Sequence, residues 1–292
     1  MIRALAKVMV GAALLAGLAG CSNPREEFGK TYYLDGAGNW GFGVADVPAG
    51  LRAAGYQGDV EVFVWTSSFS PAVDQVNLVG NKLRAAILSG KIGDYRTRHP
   101  GKPVNLVALS AGTGIAVWAV EGLAEGVTVD NVVLLGSSLS YNYDMRKALR
   151  HVKGRVYVFY SPHDEVLTTG ARVLGTVDRT FEDSAGLVGL RPVGGDSSKI
   201  VNIGWSPRYS QYGWTGSHTD ATSQAFVQAV IAPKITGAAG APPVAASFAA
   251  RREAQLAGRS DPGAGEANRP GDSSWQAPGG SVTSRISAIR RP

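Results

Sequence analysis

Cysteine is nearly absent. The chain has a single one, Cys21, in 292 residues, and one thiol allows neither an intramolecular disulfide nor a cysteine-rich metal site. Histidine is scarce too, four in all, with no His-Glu-x-x-His pair and no cluster of carboxylates, so no metal centre is expected. Glycine is plentiful, yet no glycine-rich stretch ends in Gly-Lys-Ser/Thr or completes a dinucleotide fingerprint, which argues against a phosphate-binding loop. The longest leading apolar run, Val8 to Ala19, is short of the about 20 residues that cross a bilayer. No internal repeat is visible. A net charge of +6 is carried mostly by the ends: Arg3 and Lys7 near the start, and seven arginines against four acids after residue 236. The segment between is close to neutral, so the basic isoelectric point makes no case for nucleic-acid binding.

Arg3 and Lys7 followed by a short apolar run read as an export signal rather than a membrane span. The signal ends in Leu18-Ala19-Gly20-Cys21, which resembles the lipobox of bacterial lipoproteins. That resemblance implies lipidation of Cys21, a mature chain beginning there, and attachment to a membrane of the cell envelope through acyl chains. A plain secretory signal cut nearby is the alternative. From residue 237 to 292 the chain is rich in Ala, Gly, Pro, Ser and Arg and poor in large apolar residues, the composition of a disordered tail. The expected organisation is a signal over 1–20, a tether over 21–30, one folded domain over 31–236 and the tail over 237–292.

Within the domain, continuous β-branched runs alternate with helical patterns. Expected strands are Thr31–Asp35, Asp59–Trp65, Val104–Leu109, Asn131–Leu135, Arg155–Tyr160 and Lys199–Trp205, continuous enough to be covered on both faces. Helices are expected over Val44–Ala54, Val73–Arg96, Ile115–Ala124, Asp144–His151 and Ala221–Ile231. The second carries Val76, Val79, Leu83 and Ile87 on one face, and the last presents Ala225, Phe226, Ala229 and Val230 to the sheet. Strict alternation implies a parallel sheet with helices on both faces and ligands at the carboxyl ends of the strands.

Polar residues gather after those strand ends. Leu109-Ser110-Ala111-Gly112 has small residues around a serine at a strand-to-helix turn, the local grammar of a nucleophile elbow; an ordinary serine N-cap is the other reading. Ser161-Pro162-His163-Asp164-Glu165 follows the fifth strand, and Gly216-Ser217-His218 lies in the loop after the sixth. Serine, acid and histidine in this order, each beyond a successive strand end, resemble the α/β-hydrolase fold over roughly residues 31–233. The family elbow usually has glycine two residues before the serine, where this chain has Ala108; Gly112 keeps the second glycine position.

The resemblance implies a catalytic triad of Ser110, Asp164 and His218. Imidazole suits the work of taking the serine proton, and the acid holds its tautomer. His99 and His151 precede strands and fall at the other end of the sheet, and His163 adjoins the acid. Glu165 is the main rival to Asp164, with Asp183 and Asp196 weaker. Oxyanion donors are expected from the N–H of Ala111 and from Ala37 or Gly38 in the glycine-rich exit of the first strand. Trp40, Trp205, Tyr212 and Trp214 are candidates for a substrate wall, although the last three serve equally to pack their loop.

Only about twenty residues separate the fourth and fifth strands, where many lipases of this fold insert a cap, so a capless, open site is expected. The function these residues imply is a serine esterase needing no cofactor, acting on small or polymeric carboxylic esters in the manner of cutinase-like enzymes. Peptidase, thioesterase or acyltransferase chemistry uses the same residues, and a non-catalytic lipoprotein using the scaffold for binding is the reading from another class.

Overall fold

The computed structural model describes residues 23–192 and 197–237. Cys21, the expected export signal, Asp196 and the expected tail from residue 238 onward lie outside the described residues.

Six strands form one sheet: β1 (Lys30–Leu34), β2 (Asp59–Val62), β3 (Val104–Leu109), β4 (Asn131–Leu135), β5 (Val156–Tyr160) and β6 (Ile200–Gly204). Their spatial order is β2-β1-β3-β4-β5-β6, and every neighbouring pair is parallel. The chain therefore leaves β1 toward one edge and from β3 onward builds toward the other. The order reverses between β1 and β3, the place where open parallel sheets form their ligand crevice. Register sets what meets there. Leu34 pairs with Ala108 and Leu109 with Leu135, so the residues just past β1, β3 and β4 emerge side by side.

The apolar density of the strands follows their position. β1 and β3 are buried throughout, whereas the edge strands β2 and β6 are half-buried. Alternate side chains feed two cores. Tyr32, Leu34, Leu106, Ala108 and Leu134 face one, and Tyr33, Val107, Leu109, Val133 and Leu135 face the other.

Helices cover both faces: α1 (Asp46–Ala53), α2 (Pro71–Val76), α3 (Leu78–Arg98), α4 (Gly112–Glu121), α5 (Arg146–Arg150) and α6 (Glu165–Leu174). α4 is buried from Gly112 to Val120, between the sheet and α3. Three expectations are corrected. The helix expected over Val73–Arg96 is two, broken at Asn77, whose side chain accepts the Gly80 N–H at 3.1 Å and caps α3. Its apolar stripe faces outward: Val79 is 83% and Leu83 63% exposed, while Asn81, Ala85, Leu88, Ser89, Ile92 and Tyr95 are buried. Small Ala85 and Ser89 admit close packing, and Asn81 is tolerated inside because its Nδ2 donates to the Asp74 carbonyl at 2.7 Å. Periodicity identifies a face and not the direction it points.

The last helical segment is also turned. Phe226, Val227, Ile231 and Ala232 are buried, Ala225 is exposed, Ala229 is half-buried, and Val230 is half-buried but still packs on the core. Val227–Ile231 forms a π-helical turn, whose wider winding shifts the buried face away from the one that regular helical spacing selects. In the third, β2 ends at Val62, and Trp65 turns under the sheet edge to donate its Nε1 to the Asp35 carbonyl at 2.8 Å. Between β4 and β5 the only helix is the short α5, and no cap is built there.

Candidate active site

Ser110 directly follows β3 at φ +54°, a left-handed conformation that non-glycine residues rarely adopt, and its N–H donates to the Leu135 carbonyl at 2.9 Å. Ala111, not Ser110, occupies the N-cap position of α4, and no side chain caps that helix. The turn depends on its neighbours being small. A Cβ on Gly112 would collide with the Asp35 carbonyl oxygen, so α4 can start against the end of β1 only with glycine there. A Cβ on Gly36 would lie 3.4 Å from the Ser110 Cβ. The strain at Ser110 is thus held in place by β1, β4 and the start of α4.

Asp164 and His218 meet across the sheet edge. His218 Nδ1 lies 2.6 Å from Asp164 Oδ2, with both side chains nearly enclosed. The other carboxylate oxygen accepts the Leu167 N–H at 2.9 Å, as an N-cap does at the start of α6. With Nδ1 donating to the carboxylate, the neutral imidazole keeps its lone pair on Nε2. Glu165 and His163 are exposed and directed away, His163 stacking edge-on against Trp205. Asp183 is exposed as well. His99 sits between Glu26 and Glu27, and His151 Nδ1 bonds the Val127 carbonyl, both at the amino ends of the strands, opposite Ser110. The pair rests on Gly136, directly after β4 with φ +47°. A Cβ there would fall 3.2 Å from His218 Nδ1 and 3.3 Å from Asp164 Oδ2.

Ser110 and His218 line one cavity of about 370 Å³ with Ala37, Trp40, Phe42, Gln75, Ser138 and Val166 among its other walls. Among the described residues the Ser110 hydroxyl has no hydrogen-bond partner, His218 included; contacts of this kind are commonly loose in resting sites and tighten on substrate. Ala111 is fully buried at the start of α4, and its N–H has no acceptor among the described residues. The two candidates in the β1 exit loop divide. Gly38 donates its N–H to Asp74 Oδ2 at 2.9 Å, so that donor is spent, whereas the Ala37 N–H has no acceptor among the described residues. The loop is closed by buried Asp35, whose Oδ2 accepts the Gly41 N–H at 2.9 Å. Burial raises the Asp35 pKa, and N–H donors from Gly36, Gly41 and Phe42 oppose the rise.

The aromatic candidates separate in the same way. Trp40 lines the cavity and is 62% exposed at its mouth. Trp205, Tyr212 and Trp214 do not line it. Trp214 is buried among Phe159, Tyr209 and Phe226, and Trp205 donates its Nε1 to the Trp214 carbonyl at 2.9 Å. Tyr212 lines a separate groove with Tyr157. Trp205 and Trp214 hold the histidine loop, since Gly216, at φ +103°, folds directly over the Trp205 ring. Gly136, Gln75 and Asp74 are the residues that sequence reasoning missed. A glycine directly after a central strand was the available signal for the first, and an aspartate inside an apolar helix for the last. Among the described residues no cluster of three or more His, Cys, Asp or Glu is placed to hold a metal, and no helix is long and apolar enough to cross a membrane.

A parallel sheet with a strained serine after its central strand, and a His–Asp pair beyond two later strands, defines an α/β-hydrolase fold. Residues 41–174 match the model of a family described as Alpha/beta hydrolase, a span that includes Ser110 and Asp164 and stops before His218. The chain has the α/β-hydrolase fold, and hydrolase chemistry is the activity this match suggests. No curated protein matches it. Among solved structures, a cutinase-like protein from Cryptococcus sp. is 16% identical with a TM-score of 0.36, over 70% of this chain and 94% of that one. RedJ, solved with a PEG molecule in its active site, is 11% identical with a TM-score of 0.32, over 81% and 94%.

Proposed function

We propose that this chain is an exported, lipid-anchored serine hydrolase that cleaves carboxylic esters through Ser110, His218 and Asp164. The 2.6 Å contact between His218 Nδ1 and Asp164 carries the reading, because it leaves Nε2 as a base in the cavity that Ser110 enters. In the reaction, Nε2 takes the Ser110 proton as Oγ bonds to the ester carbonyl carbon, and the carbonyl electron pair moves to oxygen. Asp164 stabilises the imidazolium that results. The N–H groups of Ala111 and Ala37 receive the oxyanion, whose collapse expels the alkoxide, protonated by His218. Water, deprotonated by Nε2, then attacks the acyl-Ser110; the second tetrahedral intermediate collapses with cleavage of the C–Oγ bond, Ser110 takes the proton back from His218, and the acid is freed. The exposed apolar mouth formed by Trp40, Phe42 and Val166 suits an apolar acyl group. Export and anchoring rest on Leu18-Ala19-Gly20-Cys21.

The test is labelling of the full-length protein with a serine-reactive fluorophosphonate, beside hydrolysis of nitrophenyl esters of increasing chain length, for wild type and Ser110→Ala. Labelling and turnover should both vanish in the variant. A folded wild type with neither overturns the esterase reading and leaves the scaffold as a binding module. Metabolic labelling with a fatty-acid analogue, lost in Cys21→Ser, tests the anchor.

A further inference from the structure

Asp74 is buried, 1% exposed, inside the short helix α2, and takes no part in the proton chemistry. Every donor it meets is spent on joining two loops. Oδ2 accepts the Gly38 N–H at 2.9 Å, and Oδ1 accepts the Ser67 N–H at 3.2 Å, the Ser68 hydroxyl at 3.2 Å and the Ser67 hydroxyl at 3.5 Å. Its own backbone is fixed in turn by Asn81, whose side chain bonds its carbonyl. The Ala37 N–H lies one peptide unit before the Gly38 amide. On its other side, the Asp35 carbonyl is held by the Trp65 indole. The donor thus stands between two anchored peptide units. Gly38 itself, at φ +84°, sits so close to Pro71 at the start of α2 that a Cβ would fall 2.9 Å from the proline ring.

We propose that Asp74 is a positioning residue, which fixes the Ala37 amide as the second oxyanion donor by anchoring the Gly38 N–H to α2. The inference rests on Ser110 being the nucleophile. Its chemistry requires a carboxylate. Backbone N–H donors face both oxygens, so an amide in its place must turn its NH2 group toward Gly38 or toward Ser67, and one of the two links breaks. Breaking the Gly38 link frees the loop without removing anything that touches substrate in its ground state.

Full-length Asp74→Asn should therefore lose ten- to hundredfold in kcat on a nitrophenyl butyrate substrate, less than the about 10²–10³ attached to deleting an oxyanion donor, with KM within about twofold. Affinity for an alkylboronic acid, which mimics the tetrahedral oxyanion, should fall in proportion to kcat. Unchanged kcat in a folded variant overturns the proposal, as does a rise in KM alone or a loss of kcat with boronate affinity intact. Should the variant not fold, the wild-type Gly38 amide decides: bonded to a buried carboxylate, its proton should resonate downfield and exchange slowly, and rapid exchange overturns the link. Wild-type turnover that survives Ser110→Ala defeats the nucleophile assignment instead, a result separate from the ratio between Asp74→Asn and wild type.

Discussion

Gly136→Ala is the sharpest probe of the His218–Asp164 pair, because the structure separates its two costs. The first is conformational. At φ +47° an alanine pays about 1–2 kcal/mol for a left-handed backbone, equivalent to about 2–8 °C in Tm for a domain of this size. The second is local. The new methyl would stand 3.2 Å from His218 Nδ1, 3.3 Å from Asp164 Oδ2 and 3.4 Å from His218 Cε1, where ordinary carbon contacts begin at about 3.5 Å. The imidazole must retreat by about 0.3–0.5 Å. Scaling from about 10²-fold in rate per ångström of misplacement, kcat should fall about four- to tenfold. Gly126→Ala supplies the control: its φ is +80°, so the backbone cost is alike, yet a Cβ there meets nothing within 4 Å. Thermal unfolding and nitrophenyl ester kinetics on both variants read the two costs independently. Both should lose stability, and only Gly136→Ala should lose rate. Full activity in a folded Gly136→Ala variant, or equal losses in both, would refute the placement of the pair over this glycine.

Asp164→Asn should keep its bond to the Leu167 N–H while presenting an NH2 group to His218, which favours the wrong tautomer; kcat should drop by about 10³–10⁴ with little change in KM, measured by steady-state kinetics. Leu88→Ala should destabilise the protein by about 2–5 kcal/mol and Leu83→Ala by less than about 0.5 kcal/mol in urea titrations, since the former is fully buried and the latter 63% exposed. Equal effects would mean that α3 packs through its other face. Glu26 has its pKa lowered below the ordinary glutamate value of 4.5; burial works against this, and the bonds to Lys30 and Arg98 outweigh it. A carboxyl with a depressed folded value stabilises above its unfolded pKa and loses that contribution as pH falls through the folded one. Glu26→Gln should thus be less stable than wild type at pH 7, with the difference shrinking below about pH 4.5 in denaturant unfolding at each pH.

The strands were legible because the central ones are covered on both faces, and full coverage demands mostly apolar runs such as Val104–Leu109 and Asn131–Leu135. Strand ends then located the polar residues of the site, since parallel connections deliver their loops to one edge. Where a choice depended on the third dimension, sequence gave less. The stripe Val76, Val79, Leu83 and Ile87 satisfies helical spacing, yet packing against α4 selects the face with Ala85 and Ser89. Trp205 and Trp214 lie near His218 in the chain, but their size carries them into the core and under its loop. Asp74 is remote from Gly38 in sequence, and only the fold brings the carboxylate to that amide. What separates Ala37 from Gly38 is a single hydrogen bond, which occupies the Gly38 N–H and which no composition rule contains.

β6 is an edge strand, paired with β5 alone, half-buried at four of its residues and exposed at Asn202. The segment bearing His218 follows it, while Ser110 grows from the fully buried β3. The two halves of the site are therefore secured unequally. Protection of backbone amides should be highest beneath the serine and lowest at the outer strand, so the histidine can be lost through an opening that leaves most of the sheet intact. If Ser110 and His218 act together as proposed, activity should be lost on heating before the sheet as a whole unfolds, and coincident loss of the two would refute this.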